Sequence, residues 1–148
     1  MSYTPVDSSK GFWTFTAKSY AIGSTTTKTA ISGIADTGTT LLLLPATVVT
    51  SYYKKVTGAT NNKQAGGYTF PCSATLPSFS FTAGTTVITI PGSFINFASL
   101  DDGSNNCFGG IQSNAGIGFS IFGDIALKAA FVVFDGGKTQ LGWANKKL

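Results

Sequence analysis

The sequence predicts an all-β domain with two short helices, and three observations support this fold class. Glycine is abundant, with 18 residues, and only 11% of the residues are charged against 43% that are hydrophobic. Short runs of aromatic and β-branched residues alternate with turns that contain glycine or proline. Only two segments are predicted to be helical, one from apolar residues at helical spacing and one from a candidate N-cap residue. The 148 residues are expected to form a single domain, 1–148, because that length is ordinary for one hydrophobic core.

A series of short strands is expected, each where aromatic and β-branched residues dominate a run bounded by Gly, Pro or polar residues. The predicted strands cover residues 12–17, 20–22, 30–35, 41–44, 68–70, 78–81, 87–90, 94–97, 119–122, 131–134 and 140–144. Gly84 predicts a hairpin between two of them. Residues 24–28, 59–67 and 98–106 are interpreted as polar tips and loops, and residues 108–118 as a glycine-rich segment with short strands. The strands are expected to pair in an antiparallel arrangement.

Two helices are expected among these strands. The first follows Pro45, ends before Gly58 and should run for about three turns. Its apolar positions at helical spacing are Val48, Val49, Tyr52, Tyr53 and Val56. A second, short helix is predicted over 124–130, with Asp124 as the N-cap residue, because a carboxylate oxygen can accept hydrogen bonds from the free N–H groups of a first turn.

The composition excludes several kinds of chemistry. All six acidic residues are aspartates, and the sequence contains no His, Glu or Arg. Ser-His and Cys-His couples and His-ligated metals are therefore impossible within this chain, and two cysteines are too few for a structural zinc site. Acid–base chemistry falls to Asp, Lys, Tyr or water, and no metal or cofactor is expected.

The charge pattern argues against nucleic-acid and membrane partners. Ten lysines give a net charge of +4 but are scattered along the chain, which is typical of solubilising charges rather than of a polyanion-binding surface. No run approaches the ~18 apolar residues of a membrane span. The N-terminus, Met1–Pro5, has no apolar signal core, so the chain is expected to lack the targeting segment of a secreted parent.

Cys72 and Cys107 are the only cysteines. An even count in a sequence of low charge, rich in Ser, Thr and Gly, favours a disulfide and a secreted protein. Two buried free thiols are the alternative interpretation.

The segment from Ile34 to Thr40, with Asp36-Thr37-Gly38 at its centre, carries the clearest chemical signal. It places a carboxylate on a tight turn directly after an apolar strand, with hydroxyl side chains beside it. Gly38 permits either a positive φ or a close backbone approach. Such a carboxylate suits the activation of a nucleophilic water, and that chemistry needs a second carboxylate.

The other aspartates are weaker candidates for that partner. Asp124 could pair with Asp36 as in a two-carboxylate glycosidase, but the cap interpretation is favoured. Asp101 and Asp102 beside Gly103, like Asp7 and Asp135, are interpreted as solvated turn residues.

Three parts of the chain together resemble the pepsin-like aspartic endopeptidases, most closely the secreted fungal members. These parts are Gly33–Pro45, Tyr68–Cys72 with Cys107, and Gly109–Asp135. The resemblance covers nearly the whole chain, but only the C-terminal lobe of that family. It implies a single lobe of the pepsin-like acid-protease β-barrel fold. Phe122-Gly123 matches the hydrophobic-hydrophobic-glycine element that packs beside the catalytic loop.

The resemblance also implies roles for individual residues. In the family mechanism two carboxylates about 3 Å apart share one proton, and Asp36 would be one of them. Thr37 would reach toward the other lobe, Gly38 would donate its N–H to the carboxylate, and Thr39 and Thr40 would hydrogen-bond the aspartate or the substrate. Cys72 and Cys107 match the disulfide of this lobe. The residues that could line peptide subsites are Phe119, Ile117 and Tyr20, with a smaller chance for Trp13 and Trp143.

Several functional hypotheses follow. The first is an aspartic endopeptidase lobe that acts on peptides only beside its missing N-terminal lobe, because one aspartate cannot divide water activation and oxyanion protonation between two groups. The second is a homodimer in which a second copy supplies the other aspartate. The third is a catalytically silent isolated or engineered domain. A carbohydrate-binding or adhesive module is a weaker alternative.

Overall fold

The structure is a computed structural model that describes residues 1–148. It contains sixteen short strands and three short helices. In chain order the strands are β1 (Ser2–Pro5), β2 (Thr14–Ala17), β3 (Tyr20–Ile22), β4 (Thr25–Thr27), β5 (Ile31–Ala35), β6 (Leu42–Leu44), β7 (Thr60–Asn62), β8 (Gly67–Pro71), β9 (Phe79–Ala83), β10 (Thr86–Ile90), β11 (Asn96–Ser99), β12 (Asn106–Gly109), β13 (Ile111–Ser113), β14 (Ser120–Phe122), β15 (Ala130–Asp135) and β16 (Gln140–Asn145). The helices are α1 (Ala46–Tyr53), α2 (Gly92–Ile95) and α3 (Asp124–Leu127).

The strands form four sheets, which confirms the all-β fold class. Their orders are β1-β16-β15, β10-β9-β3-β4, β11-β12-β8-β7 and β13-β6-β14-β5-β2. The predicted hairpin at Gly84 is present, since β9 and β10 pair antiparallel on either side of it. The expectation of antiparallel pairing throughout is wrong in one sheet, where β14 runs parallel to β5 and β13 runs parallel to β6. These two parallel pairs position the candidate site.

The structure has three helices, one more than the two predicted. A strand was expected over 94–97, but the chain first forms the single turn α2 and only then the strand β11. Pro91 stands before this turn with extended backbone angles, φ −61° and ψ 148°. A Cβ on Gly92 would overlap the carbonyl oxygen of Leu76. This turn is held by close packing, which strand propensity in the sequence does not reveal.

The helix α1 is shorter than the predicted three turns. It ends at Tyr53, after which the backbone tightens, since Lys55 N–H bonds Tyr52 O and Val56 N–H bonds Tyr53 O, each at 3.0 Å. Gly58 then adopts a positive φ of 78° and ends the segment as predicted. The apolar face is also as predicted, since α1 buries Val48, Val49, Tyr52 and Tyr53.

Three strands were not predicted from the sequence, because they are short and mostly polar. β4 is a run of three threonines that pairs with β3, where only a hairpin tip was expected. β7 consists of Thr and Asn residues and pairs with β8 at a sheet edge. β1 pairs with β16 and forms another edge. Edge strands expose much of their surface, so they lack the apolar alternation used to recognise strands.

A cluster of 28 buried residues forms the hydrophobic core. At its centre, the ring of Phe15 lies 4.8 Å from that of Phe122 and 5.1 Å from that of Trp143. Phe81 packs edge-on against Trp143 at 5.3 Å. The phenols of Tyr52 and Tyr53 donate to Pro77 O and Ile111 O, each at 2.7 Å. Burial raises the pKa of both phenols, so they act as neutral donors.

The β1-β16-β15 sheet exposes apolar side chains on the face turned away from the core. Trp143 and its cross-strand neighbour Val132 face the core, so Phe131 and Val133 point the other way. Phe131 is 57% exposed and Tyr3 47% exposed. The Tyr3 ring and the Met1 thioether lie over Gly142. These five residues, Met1, Tyr3, Phe131, Val133 and Gly142, are called the outer face below.

Cys72 and Cys107 form a disulfide across a sequence separation of 35 residues, as predicted. It joins the end of β8 to β12, two strands that also pair directly. Among the helices, none has the length and apolar character of a membrane span.

Candidate active site

Asp36 follows β5 directly and begins a loop, residues 36–41, that leads into β6; this segment is called the Asp36 loop. The strand β14 lies between β5 and β6, parallel to the first and antiparallel to the second. The Asp36 loop therefore crosses over the carboxyl end of β14. Both of its ends emerge from buried strands, because β5 and β6 bury most of their residues.

Backbone hydrogen bonds fasten the Asp36 loop to β14 and α3. The N–H of Asp36 bonds Phe122 O at 3.2 Å. The first two N–H groups of α3, those of Asp124 and Ile125, donate to the carbonyls of Thr39 at 2.8 Å and Thr40 at 3.0 Å. N–H groups of a first helical turn have no partner inside the helix, so α3 uses them to hold the loop.

Two glycines make this close approach possible. A Cβ on Gly123 would overlap the carbonyl oxygens of Thr39 and Leu41. A Cβ on Gly33 would lie 2.8 Å from the carbonyl carbon of Ser120. Backbone atoms cannot move aside as a flexible side chain can, so both positions require glycine. The Phe122-Gly123 element therefore packs beside the Asp36 loop, as the family resemblance implies.

The Asp36 carboxylate accepts one hydrogen bond on each oxygen from its own loop. Gly38 N–H donates to Oδ1 at 2.9 Å, and the Thr39 hydroxyl donates to Oδ2 at 2.7 Å. A Cβ on Gly38 would lie 3.2 Å from Oδ1, so glycine provides a close approach here; its φ is not positive. The carboxylate is half-exposed. Each oxygen keeps further acceptor capacity toward solvent.

Thr37 and Thr40 differ from Thr39. Both are exposed, and neither hydroxyl takes part in the hydrogen bonds that hold the carboxylate. Thr37 lies at the open side of the loop. Their hydroxyls are therefore accessible to another chain or to a ligand.

An open groove of about 360 Å³ adjoins the carboxylate. Its lining combines Asp36 and Thr37 with apolar residues from three parts of the chain. These residues are Gly11, Phe12, Trp13, Ile34, Ala35 and Phe134. The Trp13 and Phe134 rings meet edge-on at 5.4 Å. The groove therefore presents an ionisable group beside an apolar wall, an arrangement found in binding sites.

The comparison with known protein families decides the assignment. Residues 1–146 match the family model described as eukaryotic aspartyl protease. The chain belongs to this family. It is 60% identical to endothiapepsin from Cryphonectria parasitica over 148 residues, which cover 99% of this chain and 35% of that protein. It is 59% identical to penicillopepsin-2 from Penicillium janthinellum, over 97% of this chain and 36% of that protein.

A solved structure of the family has the same fold. The aspartic proteinase from Irpex lacteus matches with a TM-score of 0.78 and 25% identity, over 97% of this chain and 46% of that chain. This aspartyl protease chain thus spans about a third of the length of the curated relatives it matches. It has the pepsin-like aspartic proteinase fold over nearly all of its residues, as one lobe.

The predicted subsite residues fall into different places in this aspartyl protease lobe. Phe119 packs against Phe12 of the groove, with ring centroids 5.6 Å apart. Ile117 is 39% exposed just before β14. Tyr20 lies in another sheet and stacks on Phe79 at 5.8 Å. Trp143 is fully buried, so it has no surface to offer a substrate.

Trp13 lines the groove, together with Phe12 and Phe134, which the sequence reading missed. Phe134 was interpreted only as part of a strand. The Phe134 side chain is 40% exposed near the end of β15, and this exposure cannot be inferred from the periodicity of the sequence.

The interpretation of Asp124 as a helix cap is wrong. Gly123 occupies the N-cap position of α3, no side chain caps it, and Asp124 is the first helical residue, with an exposed side chain. A Cβ on Gly123 would overlap the carbonyl oxygens of Thr39 and Leu41, so a residue with a side chain does not fit at the cap position. Asp101 and Asp102 lie in an exposed turn, as predicted. Asp7, Asp102 and Asp135 each accept an N–H from two residues later, but Asp135 is the last residue of β15 and only partly exposed.

The largest concavity, about 480 Å³, lies elsewhere, between α1 and Tyr68. It contains no carboxylate. Its buried polar residue, Gln112, is satisfied internally, since its amide pairs with Tyr68 N–H and Tyr68 O at 2.8 and 3.0 Å. The smaller groove beside Asp36 is the better candidate site, because it combines an accessible acid with an apolar surface.

Proposed function

We propose that this chain is the C-terminal lobe of a two-lobed aspartic endopeptidase and supplies Asp36 as one of its two catalytic aspartates. The observation that carries the proposal is the Asp36 carboxylate, held by Gly38 and Thr39 at the edge of an open groove. A carboxylate fixed on both oxygens has a defined orientation before any substrate binds. Preorganisation of this kind is what water activation requires.

The chemistry needs a second carboxylate close to Asp36. One acid of such a pair is ionised and accepts a proton from the attacking water, while the other is protonated and donates a hydrogen bond to the developing oxyanion. No other aspartate of this chain shares a hydrogen-bonding group with Asp36. The second carboxylate therefore comes from outside residues 1–148, and the isolated chain should not cleave peptides.

The orienting roles follow from the loop geometry. Gly38 and Thr39 hold the carboxylate, whereas the exposed hydroxyls of Thr37 and Thr40 remain for the other lobe or for the backbone of a peptide. The apolar wall of the groove, with Phe12, Trp13 and Ile34, suits an apolar side chain of that peptide.

The outer face is where the missing lobe would pack. It collects large exposed apolar side chains, such as Phe131 and Tyr3, on one side of a three-stranded sheet. A contiguous apolar surface of this kind on a soluble protein marks an interaction site. The chain covers only 35% of endothiapepsin, so most of a two-lobed relative's length is available to cover it.

The disulfide between Cys72 and Cys107 supports a secreted parent protein. Disulfides form and persist in oxidising compartments. With the low charge density of the chain, this favours an extracellular enzyme.

A complementation assay tests the proposal. The chain is mixed with the separately produced remainder of endothiapepsin from Cryphonectria parasitica, and acid cleavage of a fluorogenic peptide is followed against protein concentration. We expect no activity from the chain alone and peptide cleavage in the mixture, with inhibition by a transition-state mimic of peptide hydrolysis. Asp36→Asn should abolish the activity. Asp102→Ser is the matched control, because it also removes a turn carboxylate but should leave activity unchanged.

Other outcomes separate the alternatives. Activity of the chain alone that rises with the square of concentration would favour a homodimer with two copies of Asp36. Binding of the complementing lobe without cleavage would favour a catalytically silent domain. Activity retained by Asp36→Asn would refute the catalytic assignment.

A further inference from the structure

An exposed aspartate, Asp102, lies far from Asp36 in the sequence, in a loop that ends next to the disulfide at Cys107. Residues 100–105, called the Asp102 loop, connect β11 to β12. Residues 101–105 are all exposed. Leu100 N–H bonds Asn106 O at 2.8 Å, and Cys72 N–H bonds Asn105 O at 3.0 Å, so the base of the loop is closed while its tip is free.

Asp102 is followed by a glycine, and Ser104 is the one other residue that hydrogen-bonds its carboxylate. Ser104 N–H donates to its Oδ1 at 2.9 Å, which holds the carboxyl group on the side of the following backbone. Gly103 has a positive φ of 76°, and a Cβ built there would meet no atom within 4 Å. Glycine carries no Cβ, so residue 103 has no side chain to obstruct the approach of Asp102 Cγ to the Gly103 nitrogen.

We propose that Asp102-Gly103 is a site of spontaneous isomerisation to isoaspartate. The Gly103 amide nitrogen attacks Cγ of the protonated Asp102 carboxyl group and forms a new N–C bond. The carboxyl hydroxyl leaves as water, taking up the amide proton, and a succinimide ring results. Water then adds back to either ring carbonyl. Opening at the original backbone carbonyl gives isoaspartate, and opening at Cγ restores aspartate.

Asp7 provides an internal control for the following residue. It forms the same turn, with Ser9 N–H donating to Oδ1 at 2.9 Å, and it is also exposed. However, the attacking nitrogen would belong to Ser8, whose Cβ and hydroxyl crowd the approach that glycine leaves open. Asp7 should therefore react more slowly than Asp102.

Asp135 provides an internal control for the carboxylate. Like Asp102, it precedes a glycine, Gly136. Its Oδ1 accepts N–H groups from Gly137 and Lys138, each at 3.1 Å, and its Oδ2 accepts the Gln140 amide at 2.8 Å. With both oxygens held, Cγ cannot turn toward the Gly136 nitrogen, so the folded protein should protect this site.

The pKa shifts of the three aspartates have the same direction. Hydrogen bonds hold the pKa of Asp7, Asp102 and Asp135 below the ordinary value, mainly through Ser9, Ser104 and Gln140 respectively. The differences expected among them come from the following residue and from the number of bonds to the carboxylate.

The test is prolonged incubation of the oxidised, folded chain at mildly acidic pH. Isoaspartate is then counted with isoaspartyl methyltransferase and located by electron-transfer fragmentation of the digested protein. We expect most of the isoaspartate at position 102. Gly103→Asn should reduce it several-fold, because Asn tolerates a positive φ but adds a Cβ. Ser8→Gly should create a second reactive site at Asp7.

An unfolded sample separates fold from sequence. In the reduced, denatured chain, Asp135 loses its hydrogen bonds and should isomerise about as readily as Asp102. Equal isomerisation of Asp102 and Asp135 in the folded protein would overturn the proposal, as would no accumulation at position 102.

Discussion

The Asp36 loop and the Asp102 loop begin from the same local structure. In both, the aspartate Oδ1 accepts the N–H of the residue two positions later at 2.9 Å. They differ in what surrounds that turn. The Asp36 loop has a second bond to Oδ2 and is fastened by β14 and α3, whereas the tip of the Asp102 loop is exposed. The local turn is therefore enough to orient one oxygen of an aspartate carboxylate. A candidate catalytic carboxylate also needs the second hydrogen bond and the surrounding strands and helix that fix its loop.

The largest expected effect comes from removing the disulfide, which ties only one of the two loops. The double variant Cys72→Ala/Cys107→Ala should lose roughly 3–4 kcal/mol of unfolding free energy, since the bond closes a 35-residue loop. Denaturant unfolding measures this loss. Under conditions where the variant stays folded, amide exchange should rise at Leu100 and much less at Gly38. An equal rise at Gly38 would show that the two loops are not independent.

The next effect concerns the fastening of the Asp36 loop. Gly123→Ala places a Cβ against the carbonyl oxygens of Thr39 and Leu41, so it should destabilise the fold by about 1–3 kcal/mol. Thermal unfolding provides the measurement. Gly136→Ala is the matched control, because its Cβ meets no atom within 4 Å and its φ is not positive. If both variants unfold alike, the fastening by β14 and α3 is not what holds the loop.

A smaller effect is expected from the bond that only the Asp36 loop has. Thr39→Val removes the hydroxyl that donates to Asp36 Oδ2 and should cost about 1 kcal/mol in unfolding free energy. Thr40→Val removes a hydroxyl outside these bonds and should change stability by less than about 0.5 kcal/mol. Chemical denaturation of both variants gives the comparison. A Thr40→Val loss as large as that of Thr39→Val would contradict the assigned geometry.

The smallest effect tests the Asp102 turn itself. Ser104 lowers the pKa of Asp102 from its ordinary value of 3.8, so the folded state binds this proton less readily than the unfolded state. The stabilisation is present above pH 3.8 and is lost as the pH falls through the lower folded value. Asp102→Ser keeps an acceptor but does not titrate. Its melting temperature should therefore fall slightly less on acidification than that of the parent chain.

The sequence alone predicted the parts of this molecule that depend on local chemistry. Asp36 on its turn, the buried face of α1 and the Cys72–Cys107 bond all follow from residue type and spacing. The family resemblance then located Phe122-Gly123 beside the loop. The comparisons confirmed the family, while the catalytic role of Asp36 stays a prediction.

Features that depend on long-range packing were not predictable from the sequence. The parallel pairing of β14 with β5 joins residues more than 80 positions apart, and no local pattern encodes it. At the turn α2, a Cβ on Gly92 would overlap the carbonyl oxygen of Leu76. At the cap position of α3, a Cβ on Gly123 would overlap that of Thr39, so both features depend on contacts between distant segments. The groove beside Asp36 gathers Phe12, Ile34 and Phe134 from separate segments.

The two tryptophans lie in different environments, so their intrinsic fluorescence can report on different parts of the molecule. Trp143 is sealed among Phe15 and Phe81, so its fluorescence should be blue-shifted and should change only when the core melts. Trp13 is half-exposed in the groove beside Asp36 and touches Phe134, so its emission should respond to occupancy of that groove in the intact protein. Replacing either indole with phenylalanine would give separate spectroscopic readings of unfolding and of docking.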